Sequence, residues 1–74
     1  MHEVDLILET EDGKIIGIEV KLNPTVDAND VKHLLWLKEN AKTEVIDLIV
    51  VTTGDTAFRR ADGVAVIPLA LLGL

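Results

Sequence analysis

Asp5, Glu19 and Lys21 are the residues whose types and spacing could do chemistry in this 74-residue chain. Glu19 and Lys21 close the stretch "KIIGIEVK", where Ile16, Ile18 and Val20 supply the alternating apolar positions. Residues two apart on an extended chain share a face, so the carboxylate and the ammonium stand on the same side. An acid on the neighbouring strand would complete a set of two carboxylates and a lysine. Carboxylate oxygens suit a magnesium-class ion. Such an ion polarises a phosphoryl oxygen and lowers the pKa of bound water, and a lysine beside it can orient that water or steady developing charge.

The elements that must position these groups can be read from the flanking sequence. Residues 4–9, "VDLILE", alternate, and residues 14–21 read as a second strand. A two-residue Asp12-Gly13 turn would mix polar and apolar residues on both faces. A three-residue loop, Glu11-Asp12-Gly13, ends in a glycine suited to the left-handed position. That loop pairs Thr10 with Lys14, and stacks Val4 on Val20, Leu6 on Ile18 and Leu8 on Ile16. One face becomes wholly apolar, which selects this register. The other face pairs Glu3 with Lys21, Asp5 with Glu19 and Ile7 with Gly17. The Asp5 and Glu19 Cβ atoms are then expected roughly 5 Å apart. Their repulsion is about 3 kcal/mol at an effective dielectric near 20, so a cation, a proton or a lysine must offset it.

"NPT" at residues 23–25 stops the second strand, and Thr25 or Asp27 can cap a helix running to about Lys42. Its expected apolar stripe is Ala28, Val31, Leu34, Leu35, Leu37 and Ala41. "VIDLIVV", residues 45–51, reads as a central strand covered on both faces. Strand, helix and strand in this order predict a right-handed βαβ crossover. "TTGDTAFRRADG" reads as a loop, and "VAVIPL" as a short last strand that Pro68 places at an edge. The predicted fold is α/β, a single domain over residues 1–74 with a small mixed sheet and one long helix.

In this setting the pattern resembles the PD-(D/E)XK, or restriction endonuclease-like, nuclease superfamily. "HEVDLILE…GKIIGIEVK" is similar to the nuclease-like domain found C-terminal to an ATPase module in many prokaryotic AAA-type proteins. The resemblance runs from His2 to about Thr53, and more loosely through the last strand. It implies a minimal restriction endonuclease-like core in which Asp5 and Glu19 bind Mg or Mn and Lys21 is catalytic, with DNA as the substrate class. Val4 stands where the superfamily pattern has proline. Many members also carry an N-terminal helix with a further glutamate, and the chain starts too late to contain it, so a minimal or truncated version is expected. The same resemblance implies an alternative, a non-catalytic module for dimerisation or for docking an ATPase partner.

The remaining charged and aromatic residues give weaker signals. Acid-x-Lys also occurs at Asp12 and Asp30, away from the end of an apolar strand. Lys32, Arg59 and Arg60 are the candidate nucleic-acid contacts, against the simpler expectation of solvated side chains. Glu3 is expected to pair with Lys21, His33 to face solvent from the helix, and Trp36 to pack under the helix or at a subunit contact. Glu3–Lys21 and Glu19–Lys21 could equally be surface ion pairs, worth ~0–1 kcal/mol.

Composition narrows the function classes. The net charge is −6, all of it within residues 1–30, where eight acids face two lysines. Such a surface repels a phosphate backbone and excludes a simple nucleic-acid binder. Trp36 and Phe58 are too few for a base-stacking platform. There is no cysteine, which excludes disulfides and thiolate zinc sites. No phosphate-cradling glycine loop or serine–histidine pair supports an ATPase or hydrolase reading. Residues 63–74 are the longest uncharged run, too short for the ~20 residues of a membrane helix. No signal peptide is visible, so the cytoplasm is the expected location. An apolar content of 49% and a mean hydropathy of +0.34 are high for a small soluble chain, which predicts burial against a second copy or a partner.

Overall fold

A computed structural model of the protein describes residues 5–73. Strand β1 is Leu6–Glu9 and β2 is Ile15–Lys21. Helix α1 is Ala28–Asn40, β3 is Val45–Thr52, β4 is Phe58–Arg59 and β5 is Ala65–Pro68, followed by a 3-10 turn at Leu69–Leu72. The five strands form one mixed sheet in the order β1-β2-β3-β5-β4. β2, β3 and β5 are parallel, with β1 and β4 antiparallel at the two edges. This is the small α/β sheet with one long helix that the sequence predicts.

The hairpin adopts the predicted register. Leu6 pairs with Ile18, Ile7 with Gly17 and Leu8 with Ile16. The Thr10 N–H donates to the Lys14 carbonyl at 2.8 Å, and Gly13 takes φ +85° at the left-handed position of the three-residue loop. The expected Val4–Val20 and Glu3–Lys21 pairs lie outside the described residues.

α1 starts at Asp27, whose carboxylate accepts the Asp30 N–H at 3.1 Å while Asp30 accepts the Asp27 N–H at 2.8 Å. This reciprocal capping box satisfies two amide donors left without helical partners. Val31, Leu34 and Leu37 are buried against Leu48, Val50 and Val64, and these six side chains form the core cluster between helix and sheet. Ala28, expected in the stripe, is exposed. Trp36 is 41% exposed rather than packed under the helix.

The helix covers the sheet face that carries Gly17 and Glu19, opposite the wholly apolar one. At Gly17, a Cβ would stand 2.8 Å from Leu37 Cδ2 and 3.2 Å from Leu34 Cδ2. The parallel register places Leu48, Val50 and Thr52 on this same face. The other face presents Leu6, Leu8, Ile16, Ile18, Val20, Ile49, Val51, Ala65 and Ile67. Toward the β1 edge it is open, with Leu6 49%, Leu8 45% and Val20 48% exposed. β3 is therefore a central strand with a helix on one face, not on both. Its continuous apolar run reflects one face in the core and a second that no α-helix among the described residues covers.

Two further expectations are corrected. The segment after β3 is not all loop, because Phe58 and Arg59 pair with Val66 and Ala65 as β4. β5 consequently lies inside the sheet, with β4 as the edge. Pro68 fits because β4 is only two residues long and ends its pairing at Val66, so no ladder bond is asked of a missing N–H on that side.

Candidate functional site

The site grows from the C-terminal end of β2, where the strand passes under the first turns of α1. Glu19 and Lys21 follow Gly17 on the helix-covered face. The close approach at Gly17 brings α1 onto β2 and partly buries what comes next on that face. Glu19 is partly buried, and its Oε2 is fully enclosed without a hydrogen-bond partner among the described residues. An enclosed carboxylate oxygen without a donor is costly when charged. Burial accordingly pushes the Glu19 carboxyl above its usual range, and the nearby Asp5 and Asp30 charges add to the rise. His33, on α1, opposes it.

Asp5 immediately precedes β1. One step beyond the Leu6–Ile18 pair, it lies opposite Glu19. Its Oδ2 accepts the Val20 N–H at 2.8 Å, a side-chain bond that extends the β1–β2 pairing beyond the start of β1. The bond holds Asp5 beside Glu19, and a carboxylate that accepts one N–H retains further acceptor positions.

Lys21 does not turn back to Glu19. Its ammonium is bonded to Asp30 on α1, and both side chains are mostly shielded from solvent, at 25% and 19% exposure. Asp30 Oδ2 accepts the Asp27 N–H and the Lys21 ammonium together. The backbone N–H first and the Lys21 ammonium second hold the Asp30 carboxyl below the usual carboxylate range.

Glu19, Lys21 and Asp30 line a groove of about 280 Å³ between β2 and α1, whereas Asp5, exposed just before β1, lies outside its lining. Glu19, Lys21, Asn29, Asp30, Lys32 and His33 form its walls. Lys32 is thus the nucleic-acid candidate that the structure brings to the groove. Arg59 instead pairs with Asp47 at 2.9 Å and donates to the Gly63 carbonyl at 2.7 Å. Arg60 pairs with Asp62 at 3.1 Å and donates to the Val26 carbonyl at 3.1 Å. Both arginines are engaged in bracing the β4–β5 turn. Among the described residues, no three His, Cys, Asp or Glu side chains gather as a metal cluster.

Asp30 is the residue that sequence reasoning missed. It looked like one more acid-x-lysine repeat, whereas its spacing from Asp27 is that of a capping box, a signal for its position over the end of β2.

A family model described as "Domain of unknown function (DUF4143)" matches residues 1–72. The chain belongs to the DUF4143 family. DUF4143 domains occur in AAA-ATPase-associated proteins, in keeping with the ATPase-linked setting that the sequence resembles. No curated protein and no solved structure matches this DUF4143 chain. No helix of the domain's described residues is long and apolar enough to cross a membrane.

Proposed function

We propose that this DUF4143 domain is a nuclease-like module that holds a divalent cation at Asp5 and Glu19 and hydrolyses phosphodiesters in DNA. The observation that carries the reading is the enclosed, unpartnered Glu19 Oε2 with Asp5 across the hairpin. An orphaned carboxylate oxygen beside a second acid fits an oxygen-preferring ion of the Mg²⁺ or Mn²⁺ class. Such an ion, once bound, polarises a phosphoryl oxygen and makes a bound water a better nucleophile. The chain's own residues supply the rest. Glu19 must be ionised to bind, so its raised pKa makes binding release protons and weaken in acid. Lys21, paired with Asp30 on the groove wall, offers positive charge to a non-bridging phosphate oxygen. Lys32 adds a second cation on the groove wall.

Manganese binding by calorimetry tests this on the wild type, Asp5→Asn and Glu19→Gln, with folding followed by circular dichroism. The expected result is binding that both substitutions abolish in folded proteins, followed by Mn²⁺-dependent cleavage of branched or single-stranded DNA. No binding at millimolar Mn²⁺ overturns it.

The uncovered apolar face supports a second reading, a non-catalytic module that docks a second copy or an ATPase partner through that face. Exposed contiguous apolar surface on a small domain marks an interaction site. Sedimentation of the wild type and Leu8→Lys tests the second-copy form. A dimer that the lysine dissociates is expected, and a wild-type monomer at high micromolar concentration rejects self-association.

A further inference from the structure

We infer that Asp30 is the positioning residue for Lys21, fixing its ammonium on the groove wall and tying it to the N-terminus of α1. The inference rests on the phosphodiester-hydrolysing reading of the groove only for its consequence in turnover.

Two geometric facts carry it. The first is the bond itself. The Lys21 ammonium meets Asp30, nine residues away on a different element, in a mostly solvent-shielded place. A lysine on a strand end with four rotatable side-chain bonds has many places to go, and an exposed pair would hold it weakly. Here the carboxylate cannot follow a wandering lysine, because the same oxygen accepts the Asp27 N–H at 2.8 Å. The second fact is that this anchor belongs to the capping box, which is part of the start of α1. The helix itself is fixed to β2 by Leu34 and Leu37 over Gly17. The position of the ammonium therefore follows from backbone elements at both ends. Asp27, Glu19, Lys32 and His33 are the other charged or titratable groups around the pair. The lowered pKa of Asp30 agrees with the bond.

A helix cap alone would also explain Asp30, and the two roles separate by substitution. In Asp30→Asn the amide oxygen still accepts the Asp27 N–H, but the charge facing Lys21 is gone. In Asp30→Glu both functions can be met, since glutamate at this capping-box position reaches back to the cap.

The decisive experiment is ¹H–¹⁵N NMR of the lysine ammonium groups at neutral pH. A slowly exchanging Lys21 signal is expected in the wild type and in Asp30→Glu, and its loss in Asp30→Asn with helix content unchanged. Its survival in Asp30→Asn overturns the inference. A second measurement covers failure of that variant to fold. In Lys21→Met, whose cap is intact, the Asp30 carboxyl is expected to titrate at higher pH than in the wild type. An unchanged titration overturns the inference as well. Where the wild type cleaves DNA, Asp30→Asn is expected to lose roughly 100-fold in kcat, as for a displaced catalytic group, with Mn²⁺ affinity within about twofold. Asp30→Glu is expected to restore the rate. A wild type without Mn²⁺ binding or cleavage defeats the nuclease-like reading. The NMR result still decides the role of Asp30 in that case.

Discussion

Leu37 lies directly over Gly17, so closely that a Cβ on Gly17 would stand 2.8 Å from Leu37 Cδ2 and 3.3 Å from Leu48 Cδ2. The missing side chain lets α1 settle onto β2, and the same closeness encloses Glu19 two residues further along. Gly17→Ala must push against three leucine ends. A destabilisation of about 1–3 kcal/mol is expected from overpacking, read from urea unfolding. A variant as stable as the wild type would show that the leucines move aside freely and that the fit is loose.

The Glu19 carboxyl titrates above its usual value in the folded chain. A raised folded pKa means that the contribution to stability is largest below the unfolded pKa, and is lost as pH rises through the folded one. Charged Glu19 therefore costs stability at neutral pH. Glu19→Gln removes that charge, so the variant is expected to exceed the wild type by about 1 kcal/mol at pH 7, the scale of one unsatisfied buried group. The difference should shrink as pH falls below the raised Glu19 value and vanish below the unfolded one. Asp30, Asp47 and Asp62 have lowered pKa values, and their stabilisation is lost as pH falls toward those values. Both proteins share that loss, so it cancels in the difference. Denaturation curves from pH 4 to 8 provide the check.

Asp27 caps α1 through the Asp30 N–H at 3.1 Å. Asp27→Ala is expected to cost about 1 kcal/mol and to lower helical circular dichroism, with Asp27→Ser largely restoring both. Equal loss in the two variants would point away from capping.

The two faces of the sheet should respond differently to truncation. Leu34, on α1, is fully buried against the helix-covered face, whereas Leu8 is 45% exposed on the open face. Leu34→Ala is expected to cost about 2–5 kcal/mol. Leu8→Ala, which leaves no enclosed cavity, is expected to cost less than about 1 kcal/mol in a dilute sample. Similar costs at the two positions would mean that the open face is covered in solution.

The alternation of "VDLILE" and "KIIGIEVK", with a glycine ending the loop, was enough for the sequence to determine the hairpin and its register. Side chains in a strand repeat every second residue, so a one-residue slip would have put Asp5 among the leucines. The spacing of Val31, Leu34 and Leu37 likewise determined the helix, because that stripe alone faces one way at 3.6 residues per turn. The proximity of Asp5 to Glu19 follows from the same local rules.

Tertiary structure decided which sheet face the helix covers. Both faces of β2 carry apolar residues, and periodicity carries no information on which of them meets α1. The absent side chain at Gly17 settles it, by giving Leu34 and Leu37 room that an isoleucine would fill. The partner of Lys21 was decided the same way. A salt bridge between β2 and α1 depends on the path of the intervening turn and on the tilt of the helix, and neither has a local signature. β4 is too short to leave a pattern, and its two residues become a strand only because β5 offers a free edge. Local periodicity specified the elements. Which of them touch, and therefore what surrounds Glu19 and Lys21, emerged only when side-chain volume and charge had to fit in three dimensions.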